Sequence, residues 1–330
     1  MIDCHVHLAA LLDGGNRCYI SPRLLNSPLF RFFRWKHDLP IEDPAQANQK
    51  YVEGLLSELR RSRYVNKAVI LALDGVYDTN GMLDSGKTDF LVGNDYVLNL
   101  AKSHPNDFLP GVSINPQRRD AIEELERCVK AGATLVKVLP NSQGFDPANS
   151  RYIPFYRRLA QLRIPLLSHV GYEFSLPWKD QSGGDPNKLR VPLDEGVTVI
   201  AAHGCSYGLM VYERYYQTLL ELVRRYPNFF ADVSALTLPN RFQMLLRLRR
   251  HPELHDRLLF GTDYPHLVFH TPCWGRVGVG RLAEIIRTTN RFDRQYLILK
   301  YLGVGFRSFE HIHSLPDYQH VHPEHPFRVG

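Results

Sequence analysis

Eight short, nearly continuous apolar runs recur along the chain, at Ile2 to Val6, Lys67 to Leu73, Phe108 to Ile114, Leu135 to Leu139, Pro165 to Val170, Val197 to Ala202, Phe229 to Ser234 and Leu258 to Gly261. A strand with one wet face alternates apolar and polar residues, so an unbroken run marks a strand buried on both faces, as in a parallel sheet. Helical patterns separate these runs. The clearest is Ala45 to Arg63, where Asp43 and Pro44 supply the cap and first turn and Val52, Leu55, Leu56 and Leu59 form an apolar stripe. Further helices are predicted at Asn94 to Ser103, Arg119 to Ala131, Ile153 to Gln161, Tyr212 to Tyr226, Arg241 to Arg249 and Arg276 to Thr288. Eight strand-helix units predict an α/β fold, a (β/α)8 TIM barrel whose functional groups sit at the C-terminal ends of its strands. At 330 residues, a single barrel domain spanning 1–330 accounts for the whole chain.

Two stretches break the rhythm. Residues 9–41 follow the first strand and 172–195 follow the fifth, and both are expected as long loops over the barrel mouth, where they shape substrate access. A histidine-bearing tail begins at His311 and is read as a solvated or subunit-covering extension; a homodimer is compatible with that.

Charge and cysteine content narrow the partners. Lys and Arg total 40 against 34 Asp and Glu, a net +6 that suits an anionic small molecule but is too mild to imply nucleic acid. No apolar run approaches the length that crosses a membrane, and the N-terminus lacks a basic, then apolar, leader pattern, so cytoplasmic residence is expected. Five scattered cysteines without a Cys-x-x-Cys pair argue for reduced thiols rather than a disulfide framework.

The chemistry-bearing residues cluster by position. In Asp3-Cys4-His5-Val6-His7 two imidazoles stand two apart on one strand, so strand alternation projects both from one face and Cys4 from the other. His169 ends the fifth strand, His203 the sixth and Asp263 the eighth. Any one of them reads equally well as a hydrogen-bonded core residue or a turn cap. Together, at strand ends around one axis, they read as a metal site, because burying so many polar groups uncompensated is costly.

The ordered set Ile2-Asp3-Cys4-His5-Val6-His7, Ser168-His169-Val170-Gly171, Ala202-His203-Gly204, Phe260-Gly261-Thr262-Asp263-Tyr264-Pro265-His266 and the closing Leu302 to Phe309 resembles the amidohydrolase superfamily. Within it the chain looks like the amidohydrolase-related branch that contains aminocarboxymuconate semialdehyde decarboxylase and its hydrolase relatives. The resemblance implies that His5, His7, His169 and Asp263 bind one divalent metal, usually zinc, while His203 approaches the reacting centre. With an open position, such a ligand set brings the pKa of bound water toward neutrality. Asp263 then relays the water proton to a leaving group, and His203 polarises the substrate carbonyl.

Lys137, on the fourth strand, sits where some binuclear relatives carry a carbamylated lysine between two metals. The favoured reading is an unmodified interior cation that pairs with an Asp or contacts a substrate carboxylate. Tyr172, Glu173, Trp178 and His266, with Arg23, Arg31 and Arg34, are weaker substrate contacts. Asn141, Asp232 and His266 are placed to orient ligands. The expected activity is hydrolysis of a small amide, lactone or ester. The alternative is non-oxidative decarboxylation of an acidic or aromatic compound at the same site, which an arginine reaching in from residues 9–41 would favour.

Overall fold

The computed structural model describes residues 1–209 and 212–313. Eight parallel strands succeed one another in chain order: β1 (Ile2–His7), β2 (Lys67–Leu71), β3 (Phe108–Ser113), β4 (Leu135–Val138), β5 (Leu166–Ser168), β6 (Val199–Ala201), β7 (Phe229–Asp232) and β8 (Leu258–Leu259). First and last strands meet through their backbones. Cys4 N–H donates to Phe260 O (3.0 Å), Asp263 N–H to His5 O (2.9 Å) and His7 N–H to Tyr264 O (2.8 Å). The sheet thus closes into a (β/α)8 TIM barrel, and every apolar run of the sequence is one of its staves.

Side-chain alternation explains why the runs are unbroken. Ile2, Val69, Leu109, Leu135, Leu167, Ile200, Phe230 and Leu259 form one buried cluster that fills the barrel. Their neighbours Ala68, Ile70, Val136, Leu166, Val199, Phe229 and Leu258 belong to a second cluster, under the helices. One repeat further along the inward file the apolar layer gives way to polar groups. Leu135 is followed by Lys137, Leu167 by His169 and Phe230 by Asp232, all buried. The site is therefore the top layer of the barrel interior, as expected for this architecture.

The helices form where the sequence places them, most of them with shorter ends. Asp43 accepts from Gln46 N–H (3.1 Å) to open Pro44–Arg60, and Asn94–Ser103, Ala121–Lys130, Ile153–Leu162, Tyr216–Arg225, Phe242–Leu248 and Val279–Arg287 follow. Arg291–Leu302, capped by Asn290 and ended by left-handed Gly303, was not anticipated.

The expected loops are partly ordered. Residues 9–41 contain the helix Pro28–His37 and a strand, Tyr19–Ile20, that pairs antiparallel with Phe90–Leu91. A third excursion, residues 74–93, thus joins the mouth, and the sequence reading had only two. The tail reading also needs correction in its first turn. Phe309 and Ile312 belong to the cluster inside the barrel, and Ser308 Oγ accepts from Ile2 N–H (2.9 Å), so this turn plugs the N-terminal end rather than trailing in solvent. His320, His322 and His325 lie outside the described residues. All five cysteines are free and buried, and among the described residues no helix is long and apolar enough to cross a membrane.

Candidate active site

β1 does not alternate cleanly. Its register against β2 slips between Asp3 and Val6, so one extra residue is accommodated there. Cys4 stays in the barrel-filling cluster with Ile2, yet His5 also turns inward, and His7 follows at the pocket floor. The expectation that Cys4 points away from the two histidines is wrong for this reason: the bulge puts Cys4 and His5 on the same side. Asp3 steadies the bulge by accepting from His5 N–H (2.9 Å), Thr262 N–H (3.2 Å) and Thr262 Oγ (2.6 Å). Burial outweighs these bonds and lifts its pKa to about 7. Gly261 packs closely opposite, since a Cβ there would stand 3.1 Å from that of His5.

Three ligand-type atoms converge at the floor. His5 Nε2 and His7 Nε2 are 3.1 Å apart, and Asp263 Oδ1 lies 3.2 Å from the first and 3.1 Å from the second. The carboxylate oxygen is buried and has no hydrogen-bond partner despite those short approaches. Two nitrogens and an oxygen at this spacing are what one ion with bonds of about 2.1 Å would hold together. Asp263 sits in the left-handed region at φ +63°, as does His203 at φ +58°, a backbone cost that concentrates at functional positions.

A chain of hydrogen bonds fixes the imidazoles. Asp232 Oδ2 accepts from His5 Nδ1 (2.7 Å), which leaves the His5 Nε2 lone pair facing the cluster. Asp232 Oδ1 accepts from His203 N–H (2.9 Å) and Ser234 N–H (3.0 Å). Burial alone would raise the Asp232 pKa, but His5 and Ser234 overcome it and hold the group below its ordinary value. His203 Nδ1 faces Ser234 Oγ (2.9 Å) and the Ser234 carbonyl (3.3 Å), which can only accept, so the proton is on Nδ1. His203 Nε2 is then an acceptor for His169 Nδ1 (3.2 Å). His169 Nε2 is left with a bare lone pair, buried and without a hydrogen-bond partner, 3.7 Å from Glu173 Oε2. His169 therefore lines the same cavity but stays outside the three-atom cluster whose members lie within 4.8 Å of one another.

Electrostatics favour neutral imidazoles around an ionised carboxylate. Burial lowers the His7 pKa to about 4 and those of His169 and His203 well below the ordinary value. Asp263 is also desolvated, but His266, His5 and His203 around it hold it well below the usual carboxylate range. Because the folded chain binds fewer protons than the unfolded one here, the stabilising contribution is present above pH 6.5 and is lost as pH falls through 4. Asp3, with its raised pKa, acts in the opposite sense over this window, so the check is residue by residue: in the metal-stripped protein the imidazole proton resonances of His7, His169 and His203 are expected not to titrate between pH 8 and 5, and a titration centred near 6.5 contradicts the neutral imidazoles.

Lys137 is buried, and its Nζ lies 3.1 Å from His5 Nε2. It makes no carboxylate ion pair within 4.0 Å among the described residues, so the expected Asp pairing is replaced by a contact to a candidate ligand. Burial lowers its pKa. Tyr172, Glu173 and His266 line the cavity of about 380 Å³ above the cluster, whereas Trp178 does not. Arg23 and Arg34 are turned to Asp89 and Glu42 (2.7 Å each), and neither they nor Arg31 line it. Asn141 tethers the 172–195 segment through Gly171 O (3.1 Å) and Gln181 Oε1 (2.7 Å) and touches no candidate ligand. Cys205 is a buried core residue.

Two members of the site escaped the sequence reading. Ser234 follows Asp232 by two residues, and that same-face spacing was its available signal. Arg241 gave none: at a helix start it reads as solvated, yet it is buried in the cavity wall, donating to Tyr172 O (2.9 Å), Ser206 O (3.1 Å) and Val170 O (3.3 Å).

A sequence model of the family described as Amidohydrolase matches residues 2–274. The chain belongs to the amidohydrolase family. Amidohydrolases of this branch are enzymes, hydrolases or decarboxylases, and depend on a metal. No curated protein matches this amidohydrolase in sequence. Among solved structures, an uncharacterized TIM-barrel protein from Bordetella bronchiseptica is 19% identical with a TM-score of 0.58, over 92% of this chain and 100% of its own. 2,6-Dihydroxybenzoate decarboxylase from Rhizobium is 17% identical with a TM-score of 0.50, over 92% and 98%. A 2,6-dihydroxybenzoate decarboxylase complexed with 2,6-dihydroxybenzoate is also 17% identical, with a TM-score of 0.51 over 92% and 98%. At such identities the likeness is one of fold. The orphaned Asp263 Oδ1 and His169 Nε2, with the converging Nε2 atoms of His5 and His7, are a donor set that fits a divalent metal.

Proposed function

We propose that the chain is a metal-dependent hydrolase that cleaves a small amide, lactone or ester at its carbonyl carbon. His5, His7 and Asp263 would hold one divalent ion, with His169 presenting Nε2 toward it; zinc suits the mixed nitrogen and oxygen donors. When bound, such an ion supplies Lewis acidity to an oxygen of water or substrate. The observation that carries the reading is the buried Asp263 Oδ1, 3.1 to 3.2 Å from two imidazole nitrogens and without a hydrogen-bond partner.

The chain's own groups divide the remaining tasks. Asp263, kept ionised, accepts a proton from the attacking water and returns it to the leaving group. His203 holds His169 in the tautomer that leaves Nε2 bare. Polarising a substrate carbonyl, the task first expected of His203, is closed to its Nε2 while that atom accepts from His169. The absence of Arg23, Arg31 and Arg34 from the cavity lining favours hydrolysis over loss of a carboxylate.

Decarboxylation is the second reading, and one observation favours it. Lys137 and Arg241 are buried cations lining the cavity, without a carboxylate within 4.0 Å among the described residues, and a substrate anion would pair with them. One experiment separates the two. The metal-loaded protein is assayed on ester, lactone and amide panels and, in parallel, for carbon dioxide release from hydroxybenzoates. Hydrolysis abolished by chelator and restored by zinc supports the first reading; carbon dioxide release without hydrolysis replaces it with the second. Two metal equivalents per chain would revive the carbamylated Lys137.

A further inference from the structure

The helix Pro28–His37 is oddly placed for its composition. Leu29, Phe30, Phe32, Phe33 and Trp35 make half of its ten residues, yet none of the ten is buried, whereas a surface helix normally buries its apolar stripe. Phe30 and Phe33 face the cavity above the cluster, and Leu29 and Phe32, each about half exposed, form its rim. Two other lining segments repeat the pattern: Phe174 is 58% exposed and Leu267 41%, and both line the same cavity, with Leu176 and Phe269 beside them. Hydrocarbon from three segments thus borders the exposed part of the cavity, and His7, His169, His203 and Asp263 line its less exposed part.

From this we infer that the substrate is an amphiphile: a hydrocarbon body lies between the helix and the 174–176 and 267–269 segments, and a polar reacting group reaches the cluster. The identity of the reacting end rests on the hydrolase reading above; the affinity of the cleft for hydrocarbon does not. A second copy or a partner helix would cover the rim but leave the depth of the cavity unfilled, whereas a chain entering end-on fills both. The volume of about 380 Å³ accommodates roughly a dozen non-hydrogen atoms at about 30 Å³ each, a head group with a body of roughly eight to ten carbons.

The test is binding of straight-chain carboxylates from butanoate to dodecanoate to the full chain stripped of metal, followed by calorimetry. Affinity is expected to rise about fourfold per methylene and to level off near ten carbons. Phe32→Asp on the helix and Phe174→Asp on the 174–176 segment replace exposed side chains, so the fold has little to lose, and each is expected to flatten the series. Length-independent binding, or a series that both substitutions leave intact, overturns the inference. So does self-association that Phe32→Asp abolishes while carboxylates fail to bind, which would assign the rim to a second copy. Esters of the same acyl lengths, offered to the metal-loaded protein, separate the two claims. If the carboxylate series holds while every ester is inert, the cleft stands and the hydrolase reading falls.

Discussion

Asp263→Asn is expected to lower turnover by at least about 10³-fold at saturating metal, since the variant loses the carboxylate placed within the cluster to take a proton. Asparagine is the informative replacement because of the backbone. Asp263 occupies the left-handed region, with its N–H donated to His5 O at 2.9 Å, and Asn tolerates that conformation better than other side chains do. A loss seen with Asn therefore reports chemistry, whereas a loss with Ala would mix in strain. The carboxylate also contributes a candidate ligand atom, so metal affinity should weaken as well. Titrating in excess metal separates the effects: occupancy returns and turnover does not. Turnover within about tenfold of the parent, once occupancy is restored, would remove Asp263 from the proton-transfer role.

The barrel was legible because both faces of its strands are buried, which leaves a signature in the sequence that no local exception erased. The site was legible to the extent that it obeys the same alternation. Lys137, His169 and Asp232 each sit two residues beyond an inward apolar residue, so their direction follows from register alone. His5 breaks that rule. The bulge in β1 brings it inward alongside Cys4, and an inserted residue leaves no mark in a pattern of this length. The helix Pro28–His37 was missed although Ser27-Pro28 is a cap and first turn, the Ser27 hydroxyl accepting from Phe30 N–H at 3.2 Å. Its apolar residues are not buried, so they make no core-facing stripe, and the sequence of residues 9–41 reads as a loop. Arg241 was missed for the opposite reason: its burial depends on three carbonyls from loops distant in sequence.

His5→Ala is expected to cost both the metal and part of the fold, and the pairing of those losses is what makes it diagnostic. The imidazole is fully buried and joins two systems: Nε2 meets His7, Asp263 and Lys137, and Nδ1 meets Asp232. Truncation removes a ligand atom and leaves the Asp232 carboxylate short of a hydrogen-bond donor in a dry interior. Leaving a buried carboxylate without such a donor costs about 3 kcal/mol, so the apo-variant should unfold at visibly lower denaturant than the apo-parent. His7→Ala provides the contrast. Its side chain is 28% exposed and approaches only the cluster, so metal loss should be comparable while apo-stability changes little. Equal destabilisation by the two substitutions would mean that Asp232 does not depend on His5. A His5→Ala protein that keeps one tightly held ion and its turnover would mean that the convergence of His5, His7 and Asp263 is packing rather than a metal centre, and the proposed chemistry would lose its basis.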